Sequence, residues 1–94
     1  MIVNICGIPH TVKECEDCFD TDYHFGQIDY RDCVIKINKD MTPHMKSEVL
    51  CHEILHGIFV HLGYSGQSSD EQFVQALASA INQSFEVKPY KEGE

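Results

Sequence analysis

The stretch Thr42-Pro43-His44-Met45-Lys46-Ser47-Glu48-Val49-Leu50-Cys51-His52-Glu53-Ile54-Leu55-His56-Gly57-Ile58-Phe59-Val60-His61-Leu62-Gly63 decides the reading of this chain. Thr42 is a residue type that caps helix N-termini, and Pro43 suits the first helical position. Gly63 suits the position just past a helix end, so a helix is predicted from Pro43 to about Leu62. Met45, Val49, Ile54, Leu55, Ile58 and Phe59 supply its apolar surface. Within it lies His52-Glu53-Ile54-Leu55-His56, an HExxH sequence. Residues four apart on a helix lie one turn above each other, so both imidazoles can reach a single ion. Glu53 lies about 100° around from His52, where its carboxylate can contact a water beside the ion rather than the ion. A catalytic zinc site uses three protein ligands and leaves the fourth position to water. The ion makes that water acidic, and a carboxylate can take its proton as it attacks a carbonyl, then pass it to the leaving amine.

A third ligand must come from further along the chain. A second helix is expected after Ser68-Ser69, with Ser69 and Gln72 forming a capping box. Phe73, Val74, Leu77, Ala80, Ile81 and Phe85 give it an apolar face, and Pro89 marks its latest end before a frayed tail through Glu94. Glu71 in its first turn is the favoured third ligand, because Ser69 and Gln72 leave it free. Asp70 is the fallback, with a shorter reach. A first-turn carboxylate is favoured by the helix dipole with or without an ion. His61 is nine residues after His52, about 180° around the helix, and reads as a surface or helix-end histidine. Tyr64, His61, His44 and His24 are the candidate donors to an oxyanion, each more simply a plain surface residue.

Before this helix the chain reads as strands. Met1 to Cys6 is a short apolar strand, Gly7-Ile8-Pro9 a turn, and His10 to Cys15 a strand pairing back as a hairpin. Glu16 to His24 is an acidic loop. Phe25 to Tyr30 and Cys33 to Asn38 form a second hairpin across Arg31-Asp32. The expected fold is α+β: a small three- to four-stranded sheet from the N-terminal half packed on two helices, the first carrying HExxH, all in one domain over residues 1–94.

Charge and composition narrow the partners. The net charge is −8, and the seven Lys and Arg are scattered, which argues against nucleic acid and anionic membrane surfaces. With 43% hydrophobic residues the chain is too apolar to be disordered. The N-terminus lacks a basic region followed by a long apolar run, and no stretch is long enough to span a bilayer, so a cytoplasmic location with mostly reduced thiols is expected. Cys15-Glu16-Asp17-Cys18 is a CxxC, with Cys6 and Cys33 elsewhere. Four such thiols could hold a structural zinc, but the second CxxC that such sites use is missing, and ordinary strand or loop cysteines are the simpler reading. Cys51 reads as a small buried apolar residue.

An acidic residue on the helix after HExxH is the gluzincin arrangement, and the compact order of elements resembles the ImmA/IrrE-like zinc peptidases common in phages and mobile elements. The resemblance is carried by Gly26-Gln27-Ile28-Asp29-Tyr30, Cys33-Val34-Ile35-Lys36-Ile37, Leu50-Cys51-His52-Glu53-Ile54-Leu55-His56-Gly57 and Glu71-Gln72-Phe73-Val74-Gln75-Ala76-Leu77-Ala78. It implies one Zn2+ per chain on His52, His56 and Glu71, with Glu53 as general base. It also implies hydrolysis of a peptide bond in a protein, such as a repressor or other regulator, held by strand addition near Cys33 to Asn38. The alternative is a zinc-stabilised binding module with little or no hydrolytic activity.

Overall fold

The computed structural model describes residues 1–16 and 25–85. Its strands are β1 (Ile2–Ile5), β2 (Ile8–Cys15), β3 (Gly26–Asp29) and β4 (Val34–Asn38), followed by helices α1 (Pro43–His61), α2 (Ser65–Ser69) and α3 (Glu71–Ser84). The expected acidic loop beyond residue 16, the end of the chain from residue 86, and with them His24, Cys18 and Pro89, lie outside the described residues. The fold is α+β as expected: one four-stranded mixed sheet from the N-terminal half, packed against three helices.

The first hairpin turns at Cys6-Gly7, one residue earlier than expected. Ile5 faces Ile8 across it, and Cys6 and Gly7 have φ of 51° and 81°. Positive φ at both central residues is what a twisted two-residue hairpin loop requires, and a glycine supplies one of them freely. The second hairpin has a four-residue loop rather than the expected Arg31-Asp32 pair, because Asp29 faces Val34. Asp29 Oδ1 accepts from the backbone N–H of Arg31 at 2.9 Å and of Asp32 at 3.0 Å, which folds the chain before Val34 can pair.

The strand order is β1-β2-β4-β3, with β2 and β4 parallel and the other pairs antiparallel. Thus β4 lies inside the sheet with both edges paired, and β3 is a border strand. This corrects the expectation that Cys33 to Asn38 could accept an added strand: its ladder groups are already used by β2 and β3.

Alternation along the strands puts Val3, Ile5, Ile35 and Ile37 on one face, where they bury against Leu50, with Val49, Ile54 and Ile58 at the margin. The opposite side of α1 packs Cys51 and Leu55 against Val74 and Ala78 of α3. Apolar residues therefore occur around most of α1, as a helix lying between two layers needs, whereas α3 is apolar on one side only. Its expected face is narrower than the sequence suggested. Ala80 is exposed, Phe85 is 70% exposed, and Phe73 is 43% exposed with its ring 5.7 Å from that of Phe59.

The ends of α1 match the sequence. Thr42 Oγ1 accepts from the N–H of Met45, and Gly63 follows the last turn at φ 85°. Gly63 N–H donates to the Val60 carbonyl and Tyr64 N–H to that of Phe59, the paired closure of a Schellman motif. The short α2 was not expected, and it moves the start of α3. Ser69 ends α2 with its hydroxyl on the Ser65 carbonyl, so Asp70 caps α3 instead, accepting from the N–H of Phe73. Among the described residues no helix is long and apolar enough to cross a membrane.

Candidate metal centre

His52 and His56 project from adjacent turns of α1 towards the start of α3, where Glu71 faces them. The two Nε2 atoms are 3.1 Å apart, and each is 3.0 Å from a different carboxylate oxygen of Glu71, His52 from Oε2 and His56 from Oε1. Hydrogen bonds at the far side of each ring fix what these atoms are. His52 Nδ1 is 2.8 Å from Gln75 Oε1, an amide oxygen that can only accept, so Nδ1 carries the proton. His56 Nδ1 is 3.1 Å from Ser68 Oγ, whose own proton points to the His56 carbonyl. In neutral rings both Nε2 atoms are then bare lone pairs, directed with a carboxylate at one point.

Four electron-rich atoms, two imidazole nitrogens and the two Glu71 oxygens, are linked by contacts of 3.0–3.1 Å and repel one another unless a cation or a proton lies between them. Burial pushes the His56 pKa down, which opposes a proton there, although the nearby Glu71 carboxylate pulls the other way. Ligand atoms around a tetrahedral ion with bonds of about 2.05 Å stand roughly 3.3 Å apart, close to the spacing seen. The donor set thus fits a divalent metal ion, and His52, His56 and Glu71 form the group that could hold one. Ser68 and Gln75 hold the rings as outer partners do in metal sites.

Glu53 is buried at 7% exposure and raised from the ordinary 4.5 to about 7. Burial is the main cause, Glu71 adds to it, and His52 opposes it. The burial comes partly from Gly26, where a Cβ would stand 2.5 Å from Val49 Cγ1 and 3.2 Å from Glu53 Cγ. A glycine there lets β3 pass directly over the Glu53 side chain. Gly57, one turn further along the same side of α1, serves the contact with the sheet in the same way, since a Cβ would meet Ile5 Cδ1 at 3.0 Å and Ile28 Cδ1 at 3.1 Å.

A cavity of about 490 Å³ opens over the centre. His52, Glu53, His56, Glu71 and Gln75 form one wall, and Phe25, Gly26, Gln27, Ile28 and Tyr30 of the β3 segment form the other, with Val49 between. The structure therefore brings together all four residues picked out from the sequence. It places the alternatives elsewhere: Asp70 is the α3 cap, and the His61 ring lies 6.0 Å from that of His10. His44, His61 and Tyr64 do not line this cavity. Sequence reasoning missed Ser68, Gln75, Gly26 and Tyr30 as parts of the site. Gln75 could have been found, as it lies one turn after Glu71 on the same face.

Among the described residues no second group of His, Cys, Asp and Glu comes close enough to hold a metal. Of the described cysteines, Cys6, Cys33 and Cys51 carry free thiols, and Cys15 is disulfide-bonded. No protein-family model, curated protein or solved structure matches this chain.

Proposed function

We propose that this protein is a metal-dependent peptide hydrolase of the gluzincin class, and within that class an ImmA/IrrE-like zinc peptidase acting on a protein substrate such as a repressor or other regulator. The observation that carries the reading is the convergence of the His52 and His56 imidazoles and the Glu71 carboxylate beside a separate, buried Glu53 in an open cavity. A structural site has no use for that fourth group. Zinc at His52, His56 and Glu71 would supply a Lewis acid that makes a neighbouring water acidic and polarises the substrate carbonyl.

The chain's own residues do the rest. Ser68 and Gln75 keep the two rings in the ligating tautomer. Glu53, whose carboxyl is drawn towards ionisation by a cation nearby, accepts the proton of the attacking water and returns it to the amine as the C–N bond breaks. No strand among the described residues covers the outer edge of β3, so Gly26–Asp29 takes the role first expected of Cys33 to Asn38. An extended substrate adds there by main-chain hydrogen bonds and lies along the cavity.

The test is Glu53→Gln. Zinc-loaded wild type should cleave members of a quenched-fluorescent peptide pool, and the variant should be slower by a factor on the order of 10³ with its zinc content and fold intact. A wild type that holds zinc yet cleaves nothing would instead be the zinc-stabilised binding module.

A further inference from the structure

Attack of water on a peptide carbonyl places a full negative charge on the carbonyl oxygen, and a donor aimed at that oxygen is worth a factor of roughly 10²–10³ in rate. Among the described residues lining the cavity, the side-chain donors outside the ligand set are Gln27, Tyr30 and Gln75. Gln75 is committed, with its oxygen on His52 Nδ1 and its Nε2 on Ser79 Oγ. Gln27 alternates along β3 with Gly26 and Ile28, which both face α1, so its side chain starts from the other face of the sheet. Tyr30 is in phase with Gly26 and Ile28, and it is the first residue past the strand.

We propose that Tyr30 is a further catalytic residue, its phenol donating a hydrogen bond to the oxyanion of the tetrahedral intermediate. This rests on the hydrolytic reading above. The backbone that carries the ring is set by the Asp29 carboxylate, which binds the N–H groups of Arg31 and Asp32. The hydroxyl lies among the site's own groups: burial raises its pKa, the nearby Ser68 opposes the rise, and the charges of Glu53 and Glu71 add to it. A phenol so placed keeps its proton at neutral pH and can donate it in a hydrogen bond to a substrate oxygen. Tyr30 loses no proton in the step. The water's O–C bond forms as its proton goes to Glu53, and the C–N bond breaks as Glu53 returns that proton to the amine.

Tyr30→Phe removes only the hydroxyl. In zinc-loaded protein acting on the best substrate from the peptide pool, kcat should fall 10²- to 10³-fold with KM changed less than threefold. A phosphinic peptide of the same sequence, whose P–O⁻ group mimics the intermediate, should bind the variant weaker by a similar factor. Binding of the uncleaved peptide, compared between Glu53→Gln and Glu53→Gln/Tyr30→Phe, should be the same. Zinc content and Tm should match wild type. Unchanged kcat, or equal weakening of both ligands, overturns the role of Tyr30 while leaving the hydrolytic reading in place. A wild type that neither cleaves the pool nor binds the phosphinic peptide overturns both.

Discussion

Burial acts on two neighbouring side chains in opposite directions. It raises the Glu53 carboxyl to about 7 and lowers the His56 imidazole. With the metal removed by a chelator, these shifts become a dependence of stability on pH. Between 4.5 and about 7 the folded chain holds a proton on Glu53 that the unfolded chain has lost. The stabilisation is therefore complete below 4.5 and lost as pH rises through about 7, by an amount on the order of 3 kcal/mol. His56 has the reverse sign: its contribution is present above the ordinary imidazole value and lost as pH falls through its lowered one. Urea unfolding of metal-free wild type and Glu53→Gln should show the variant gaining on wild type from pH 5 to pH 8. Parallel curves would mean that Glu53 is not buried as described. At this scale much was legible. Helix arithmetic alone placed His52, His56 and Glu53, and Glu71 followed from its place in the next helix. Ser68 was not legible, because its role depends on the short helix α2, whose Ser-Gly-Gln-Ser-Ser sequence has no apolar period to announce it.

Among the elements, β3 and α1 make the site between them, and Gly26 sets how closely they approach. Gly26→Ala forces Val49 or the strand to shift, at a cost of about 1–3 kcal/mol. The same shift displaces Glu53, so cleavage should fall more than stability alone explains. Gly66→Ala, where an added Cβ meets nothing within 4 Å, is the control and should leave both unchanged within about 0.5 kcal/mol. Equal behaviour of the two variants in denaturant melts would contradict the close passage of β3 over α1. The strands themselves were readable from β-branched alternation, but their order was not. Two hairpins in series suggest neighbours in sequence order, whereas β4 inserts between β2 and β3 through a parallel pairing that no local signal encodes. Placing β4 inside the sheet is what leaves β3 at its border, the edge proposed above for an added strand.

Over the whole molecule, α1 is the shared wall of two small cores, one against the sheet and one against α3. A fold of this size has a thin stability margin. An ion held by His52 and His56 of α1 and Glu71 of α3 ties the second core shut, and at a free concentration 100 times its Kd adds about 2.7 kcal/mol. The most direct test of the account is the metal content and Tm of purified wild type, His56→Ala and Glu71→Ala, each measured with and without added zinc. One zinc per chain and a zinc-dependent rise in Tm are expected for wild type, with both lost in the two variants. A wild type that takes up no zinc, or a Glu71→Ala protein that keeps its full complement, would contradict it.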